Sequence, residues 1–531
     1  MIRALFACAL LFTAQAGSAQ SLGEPPSPVS LSLGDAVAIA LDQNYALRNA
    51  ELDVRVAGTQ IREAYSSAYP SLDASSSYTR NVVQANPFAG SDAGGLFGAL
   101  GAIDWLAFNE GARTDNDPGT DPITLGEFRD RQAQGREEAG IVLEESANPF
   151  GVDNQFLSSL TLSQTLYDGS LFAAIKGART LRSISEEGLA RQAQLVITDV
   201  RQAFYNALLA QEQARVLASS VERTSVTVGE AARRVAQGTR PKFERLNAEV
   251  ELANLETQLV SAENAAGLAV DNLKLLIGLP IQQTVTLRGS LDNLYDDQPL
   301  IQTVSIDDAV SRAFAQRADL RQAREQIDLQ RVQRQITAGN RLPSLSAFAN
   351  LSYAGNVPDN RTTTSSDPSE PFTFSQNTRG FFDDSYWDPS LAVGLRLQWN
   401  VFDGFRTKAQ LQRNQIEIDR AELQLEQLTQ SVALEVEAAM RNVVAAQERI
   451  RSQQRTLDNA ELNYTFARTR LREGVSNPFE ERQASDLLDQ SRLGYIQALF
   501  DYLNATAQFD AAVGLTVEDD AQTESTTSLA P

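Results

Sequence analysis

Histidine is absent from this 531-residue chain, and cysteine occurs once, as Cys8. Without histidine the chain has no Ser-His-Asp or Cys-His catalytic centre, no histidine metal ligand and no histidine pH switch. One cysteine excludes an intrachain disulfide and a cluster of thiolate metal ligands. Because no pair of carboxylates lies in a segment that forms a pocket either, we expect no enzyme, no cofactor and no metal site.

The chain also lacks an excess of positive charge and a long apolar run. It carries 46 Lys and Arg against 68 Asp and Glu, a net charge of −22. Phosphate binding needs a cationic surface, so this balance argues against nucleic acid as a partner. No segment beyond the N-terminal residues offers the roughly 18 consecutive apolar residues of a membrane-spanning helix. If the protein sits in a membrane, β-strands must carry it there.

The first residues have the pattern of an export signal. Arg3 supplies a positive charge, residues 4–12 form a short apolar core, and Gly17, Ser18 and Ala19 are the small residues of a cleavage site. We therefore predict a signal peptide over 1–19, with a cytosolic N-terminal helix as the alternative.

The chain repeats itself in four short segments that recur in the same order. The matching pairs are 33–37 with 306–310, 69–72 with 342–345, 166–169 with 401–404 and 237–238 with 473–474. Asp35 and Asp308 lie 273 residues apart, whereas Gly238 and Gly474 lie 236 apart, so the first half holds about 37 extra residues before Gly169. The pattern predicts a first repeat over 20–278, an equatorial linker over 279–304 and a second repeat over 305–514.

Each half reads as helix, strand, loop, strand, very long helix, tight turn and long helix. Val432, Val436 and Val443 belong to a stripe of apolar residues at steps of three and four, which is typical of helices packed along their length. The long helices are predicted over 170–236, 242–278, 405–473 and 479–514. At 1.5 Å per residue the first of each pair is about 100 Å long.

Both long helices end at a turn of the same kind. Glycine ends the first helix and proline suits the first turn of the next. The turn residues are Gly238, Thr239, Arg240 and Pro241 in the first half, and Gly474, Val475, Ser476, Asn477 and Pro478 in the second.

Between the helices the apolar period changes to two. Leu391, Val393, Leu395 and Leu397 alternate with a mainly polar face, which suits the wall of a membrane barrel. Strands are predicted over 71–81, 157–167, 344–354 and 391–402, each long enough to cross a membrane at a tilt. A soluble sheet is the alternative. Four strands do not close a barrel, so copies must share one; two copies give eight strands and three give twelve.

The order of elements, the duplication and the glycine turns resemble the TolC-like outer-membrane efflux and secretion channels. The most specific segments are Tyr167-Asp168-Gly169, Phe402-Asp403-Gly404 and 472–488, and the likeness extends from 31 to 514. It implies a mainly α fold with a trimeric 12-stranded β-barrel continuous with an α-helical barrel tunnel. It also implies a passive exit duct of tripartite efflux or type I secretion, in the outer membrane of a Gram-negative bacterium.

The resemblance further implies partners and site residues. The partners are two further copies, outer-membrane lipid, a periplasmic adaptor and an inner-membrane RND, ABC or MFS transporter. The turn residues named above would dock the adaptor. Glu244 and Glu480 match the family's acidic pore ring, although each also suits the first turn of a helix. Leu471 and Ser476 stand where the family's gate has Tyr and Arg, which implies that the network closing the gate is either absent or differently built.

An exported periplasmic coiled-coil spacer without a pore is the alternative function, but it leaves the alternation in 391–402 unexplained. Two loops lie between the strands. The first, about 81–156, is rich in Gly, Asp, Asn and Pro and is interpreted as a mobile loop, with a cover over the channel mouth by its apolar stretch 94–100 as the alternative. The second, about 355–388, is rich in Ser, Thr and Asp and indicates no structure. The acidic residues 515–531 are predicted to be a disordered tail.

Overall fold

The computed structural model describes residues 29–83, 93–115, 120–141, 152–239, 241–296, 305–367 and 369–514, with the side chains of 93–101 excepted. The predicted signal peptide and the predicted acidic tail lie outside these residues. The chain divides into two compact units. The helical unit comprises 1–62, 174–335 and 408–531, and the sheet unit comprises 63–173 and 336–407.

The first repeat contains three strands and six helices within the described residues. These are β1 (Val29–Leu31), α1 (Leu33–Gln43), α2 (Tyr45–Ser66), β2 (Ser71–Arg80), α3 (Ala93–Thr114), α4 (Leu125–Glu138), β3 (Asn154–Tyr167), α5 (Leu171–Ala236) and α6 (Lys242–Ile277). The predicted linker contains β4 (Val285–Leu287) and α7 (Leu291–Asp296), and β4 pairs in parallel with β1.

The second repeat follows the same plan. Its elements are α8 (Ile306–Gln316), α9 (Ala318–Gly339), β5 (Ser344–Val357), β6 (Thr362–Asp367), β7 (Glu370–Thr378), a short 3-10 turn (Asp384–Tyr386), β8 (Trp387–Gln398), α10 (Arg406–Arg472) and α11 (Pro478–Val513). The two repeats also begin with equivalent caps. Ser32 accepts a hydrogen bond from the Asp35 amide at 3.2 Å, and Ser305 accepts one from the Asp308 amide at 3.1 Å.

The helical unit is held by seams of small and branched side chains. Val436 and Ala439 of α10 are buried with Ala498, Leu499 and Tyr502 of α11 in one apolar core. Alanine at a seam lets two helices approach closely, so a long contact forms with little volume to fill. In the described part of the chain, no helix combines the length and the apolarity that crossing a membrane would require.

A buried arginine joins three helices of this unit. The Arg317 side chain is 3% exposed and pairs with Asp319 at 2.7 Å and Glu435 at 2.8 Å. It also donates to the Ala512 carbonyl at 3.1 Å. Burial by itself raises the pKa of Asp319, but the hydrogen bond and charge of Arg317 outweigh it, and the pKa is lowered overall.

The sheet unit contains an antiparallel sheet in the order β2-β3-β5-β8. Its register places apolar residues on one face, with Leu72 opposite Leu162, Leu162 opposite Ala349 and Ala349 opposite Val393. The other face carries small polar side chains, which bond across strands at Ser75 and Ser159 and at Asn350 and Thr161. Cross-strand pairing thus extends the predicted alternation over all four strands.

All four strands differ at one end or both from the sequence-based expectation; β2 ends at Arg80, one residue early, and β5 extends to Val357 rather than to 354. β8 covers Trp387–Gln398, four residues earlier at each end than 391–402. Its neighbour β5 sets these limits, because Gly355 pairs with Trp387 and Ser344 pairs with Gln398. β3 begins at Asn154 rather than at 157, because Val357 supplies a partner there.

The loops between strands are folded. Helices α3 and α4 lie in the first loop and the β6–β7 hairpin lies in the second. Phe128 of α4 is 1% exposed and its ring lies 5.3 Å from that of Phe372 in β7. Asn109 of α3 bonds both the amide and the carbonyl of Ile123, at 2.9 and 2.8 Å. The first loop therefore contains folded segments that the sequence analysis did not predict, and its mobility stays a prediction.

Glycine is required where α9 meets the start of α5. A Cβ on Gly339 would lie 2.5 Å from the Gly169 carbonyl carbon and 2.6 Å from the Ser170 nitrogen. We predict that Gly339→Ala lowers stability by about 1–3 kcal/mol, because backbone atoms must shift. Gly267→Ala, inside α6 with no atom within 4 Å of its Cβ, should gain up to about 1 kcal/mol. Thermal unfolding in detergent measures the stability of both variants. Equal melting temperatures of Gly339→Ala and Gly267→Ala would contradict the prediction.

Candidate functional site

The two turns predicted from the sequence adopt the same helix-ending motif. After α5, Thr239 donates to the Arg234 carbonyl and Gly238 donates to the Val235 carbonyl, both at 3.0 Å. After α10, Val475 and Gly474 repeat these bonds at 2.9 and 3.2 Å. Gly238 and Gly474 have φ of 73° and 76°, the left-handed conformation that this motif needs.

The helices that leave these turns begin differently. Asn477 precedes α11, and its side-chain oxygen accepts from the Glu480 amide at 3.0 Å, with Pro478 at the first position. Pro241 precedes α6 and provides no side-chain cap. The duplicated turns are therefore alike at the helix that ends and unlike at the helix that starts. Arg240 lies outside the described residues.

Glu480 is bound to its own turn. Ser476 donates to the Glu480 carboxylate at 2.7 Å, and the Arg470 guanidinium lies 3.6 Å from it. These contacts fit the first-turn role that the sequence left open beside a pore role. The Ser476 hydroxyl, at the family's Arg position, thus fastens the turn.

Glu244 lies in a groove between the two helical hairpins. The groove has a volume of about 1040 Å³ and is lined by residues of α5, α6, α10 and α11. Its lining includes Glu244, Leu471, Asn477 and Pro478, but Glu480 is not among the residues that line it. Glu244 therefore lines the same groove as residues of the second turn, whereas Glu480 does not line it.

The groove is crossed by an ion pair that the sequence analysis did not single out. The Arg223 guanidinium of α5 bonds both carboxylate oxygens of Asp489 in α11, one at 2.6 Å. Ser220 donates to the same carboxylate at 2.5 Å. The two charged side chains are 23% and 18% exposed. Both bonds come from the same Nη2 atom of Arg223, and the pair joins the first hairpin to the second.

Two carboxylates in the groove have raised pKa values. Burial raises the pKa of Glu481, and the charge of Glu230 adds to it, while Arg468 and a hydrogen bond with Tyr464 oppose it. Burial also raises the pKa of Asp486, with a further contribution from Glu251. Protonation of either group therefore begins at a higher pH than in water, and it stabilises the folded state as the pH falls through that range.

The groove is rich in charge but contains no assembled metal site. In the residues that the structure describes, no group of three or more Asp, Glu, Cys or His side chains is arranged to hold a metal ion. The arrangement suits contact between helices, because the Arg223–Asp489 pair neutralises charge across the hairpins and the Arg492–Glu461 pair does so between α11 and α10.

The family profile described as outer membrane efflux protein matches residues 123–279 and 309–515, which is more than half of the chain. The chain belongs to the outer membrane efflux protein family. As an efflux protein of this family it is a channel protein and not an enzyme, and it lies in the outer membrane and spans into the periplasm. The resemblance inferred from the duplicated sequence is confirmed.

Individual relatives of this efflux protein are distant. The alkaline protease secretion protein AprF of Pseudomonas aeruginosa is 21% identical over 367 residues, covering 69% of this chain and 71% of AprF. The outer membrane protein TolC of Escherichia coli is 22% identical over 382 residues, with the same coverage. The Campylobacter jejuni CmeC outer membrane channel superposes with a TM-score of 0.61 at 17% identity, covering 93% of this chain and 89% of CmeC.

The ion pair across the groove predicts a stability effect in this efflux protein. Asp489→Ala should cost on the order of 1–3 kcal/mol, because Arg223 keeps a partly buried charge without its partner. The matched control is Glu437→Ala on α10, whose partner Arg441 is 74% exposed, and it should cost less than about 0.5 kcal/mol. Arg223→Met with Asp489→Leu should recover most of the loss. Denaturant unfolding in detergent measures all three, and equal losses for Asp489→Ala and Glu437→Ala would refute the expectation.

Proposed function

We propose that the chain forms a homotrimeric, passive exit duct for a tripartite efflux or type I secretion system. Its sheet lies in outer-membrane lipid and its helices form a tunnel in the periplasm. The duct has no energy source of its own, so an inner-membrane RND, ABC or MFS transporter drives it through a periplasmic adaptor.

The two-faced sheet is the observation that carries this proposal. Leu391, Val393, Leu395 and Leu397 are each about 70% exposed on one face of the single chain, which is a large apolar surface for water to cover. Lipid outside and water inside would satisfy both faces. In the described residues β2 pairs only with β3 and β8 only with β5, so further copies are needed to pair the edges.

Purification from outer membranes tests the proposal directly. We expect a detergent-stable particle of three chains, which conducts ions in a planar bilayer. A single chain that is released without detergent and forms no pores would sink the proposal and favour the spacer.

Glu244 and Glu480 are proposed to contribute to the periplasmic aperture. Both residues lie in the first turn of the helix that follows a helix-ending glycine, which supports this role. Six such carboxylates from three chains would attract cations. We predict that Glu244→Gln with Glu480→Gln lowers cation selectivity, while glutamine keeps the first-turn hydrogen bonds. Reversal potentials in a salt gradient measure selectivity. The control, Glu437→Gln with Glu448→Gln, removes two exposed charges from the middle of α10 and should leave cation selectivity unchanged. If the two double variants lowered cation selectivity equally, the aperture role would be excluded.

The turns are proposed to dock the adaptor through Gly238, Thr239, Arg240, Pro241, Gly474, Val475, Ser476, Asn477 and Pro478. Exposed apolar side chains support this proposal, because Val475, Phe479 and Phe243 are 66%, 61% and 59% exposed. Apolar groups at a helix tip lose water favourably when a partner covers them.

We predict that Val475→Asp abolishes crosslinking to the adaptor in cells, because a charge replaces the apolar contact, while the trimer remains intact. Ile281→Asp introduces the same charge at a position that is 56% exposed and outside the turns, and it should crosslink normally. Normal crosslinking of Val475→Asp would rule out docking at this turn.

A further inference from the structure

Charge in the four-stranded sheet is confined to its two edges. The central strands β3 and β5 contain no Asp, Glu, Lys or Arg, whereas β2 carries Asp73 and Arg80, and β8 carries Asp388 and Arg396. Arg80 is neutralised in its own chain by Asp359, at 2.8 Å. Near the other end of the sheet, one edge is therefore acidic at Asp73 and the opposite edge is basic at Arg396.

Both of these side chains lie on the polar face. Asp73 pairs with Thr161, Thr161 with Asn350 and Asn350 with Ala392. Arg396 lies four residues beyond Ala392 in β8, and therefore on the same face. The guanidinium of Arg396 lies 5.3 Å from the Phe348 ring centroid, which holds it over the sheet. The Asp73 carboxylate accepts a long hydrogen bond from the Ser71 hydroxyl, at 3.5 Å.

The two charges do not meet within one chain. Three strand spacings of about 4.8 Å separate β2 from β8, so the two edges are about 14 Å apart. The described residues contain no ion pair within 4 Å for either side chain. Charged side chains on edge strands often prevent pairing with another sheet. Charges of the same sign on both edges would serve this purpose, because they would repel each other across a strand pair. Opposite signs on the two edges instead attract a second copy, because opposite charges across a strand pair stabilise it.

We propose that β8 of one copy pairs with β2 of the next, with Arg396 opposite Asp73 or one diagonal step from it. The pairing is antiparallel, which continues the alternation of the sheet, and it repeats head to tail until the ring closes. The ion pair would set the register of the seam. Its charges would neutralise each other at the end of the polar face where Asp73 and Arg396 lie. The inference rests on the proposed oligomeric channel and adds the surface by which its copies recognise each other.

Cysteine crosslinking tests the register, because Cys8 is the sole natural cysteine. In a Cys8→Ser background, Arg396→Cys is combined in turn with cysteine at Ser71, Asp73, Ser75, Ser77 or Thr79. We expect oxidation to give covalent multimers of the full chain, with a maximum at 71, 73 or 75. Directly opposite residues have Cβ atoms close enough for a disulfide, and diagonal ones do not. A maximum at 77 or 79 would overturn the proposal.

Two controls separate this inference from the proposed function. Ser352→Cys with Ser390→Cys joins neighbouring strands of one chain, whose hydroxyls lie 2.7 Å apart, and should oxidise without forming multimers. Asp73→Arg or Arg396→Asp alone should lower the temperature at which the particle dissociates, and the two together should restore it. A conducting trimer in which no Arg396→Cys pair crosslinks would overturn the seam alone. A monomeric wild-type particle would overturn both the seam and the channel.

Discussion

Lateral packing along very long helices is the constraint on which the rest of the structure depends. A helix of 66 or 67 residues is stabilised mainly by its neighbours rather than by its own propensity. Valine, alanine and leucine at steps of three and four supply that contact, with Val432, Val436 and Ala446 among the buried members. Arg317 adds a polar fastening where α9, α10 and α11 meet, because it is almost fully buried and fully paired. This packing also determines where each long helix ends, and so where its turn lies.

Much of this plan was predictable because a duplicated sequence states each element twice. The 273-residue spacing that matched Asp35 with Asp308 also relates Ser32 to Ser305, Leu33 to Ile306 and Ser71 to Ser344, where equivalent caps, helices and strands begin. The turns were equally accessible, since glycine after a helix and proline before the next have local causes. Signals of this kind need no knowledge of distant contacts. The apolar face of β8 was predictable for the same reason, although the ends of this strand depended on where its neighbour β5 begins and ends.

What could not be predicted depends on residues far apart in the chain. Helices α3 and α4 and the β6–β7 hairpin share an aromatic cluster, in which Phe128 packs against Phe372 from a distant part of the chain. The Arg223–Asp489 pair joins residues 266 positions apart, and each is one charge among many on a long helix. Glu244 and Glu480 were paired by sequence position, yet one lies in a groove and the other is fastened to Ser476. The position of a residue along a helix does not reveal which side chains from other helices will contact it.

The unequal start of α6 and α11 limits the symmetry that duplication suggests. The last turns of α5 and α10 are superimposable in their hydrogen bonds, but α11 starts with a side-chain cap and α6 starts without one. Helix ends that lack a cap open more readily to solvent. In the proposed ring of copies each chain would present two tips, so tips with a side-chain cap would alternate with tips without one. An adaptor that docked at both turns of each chain would therefore meet two classes of site.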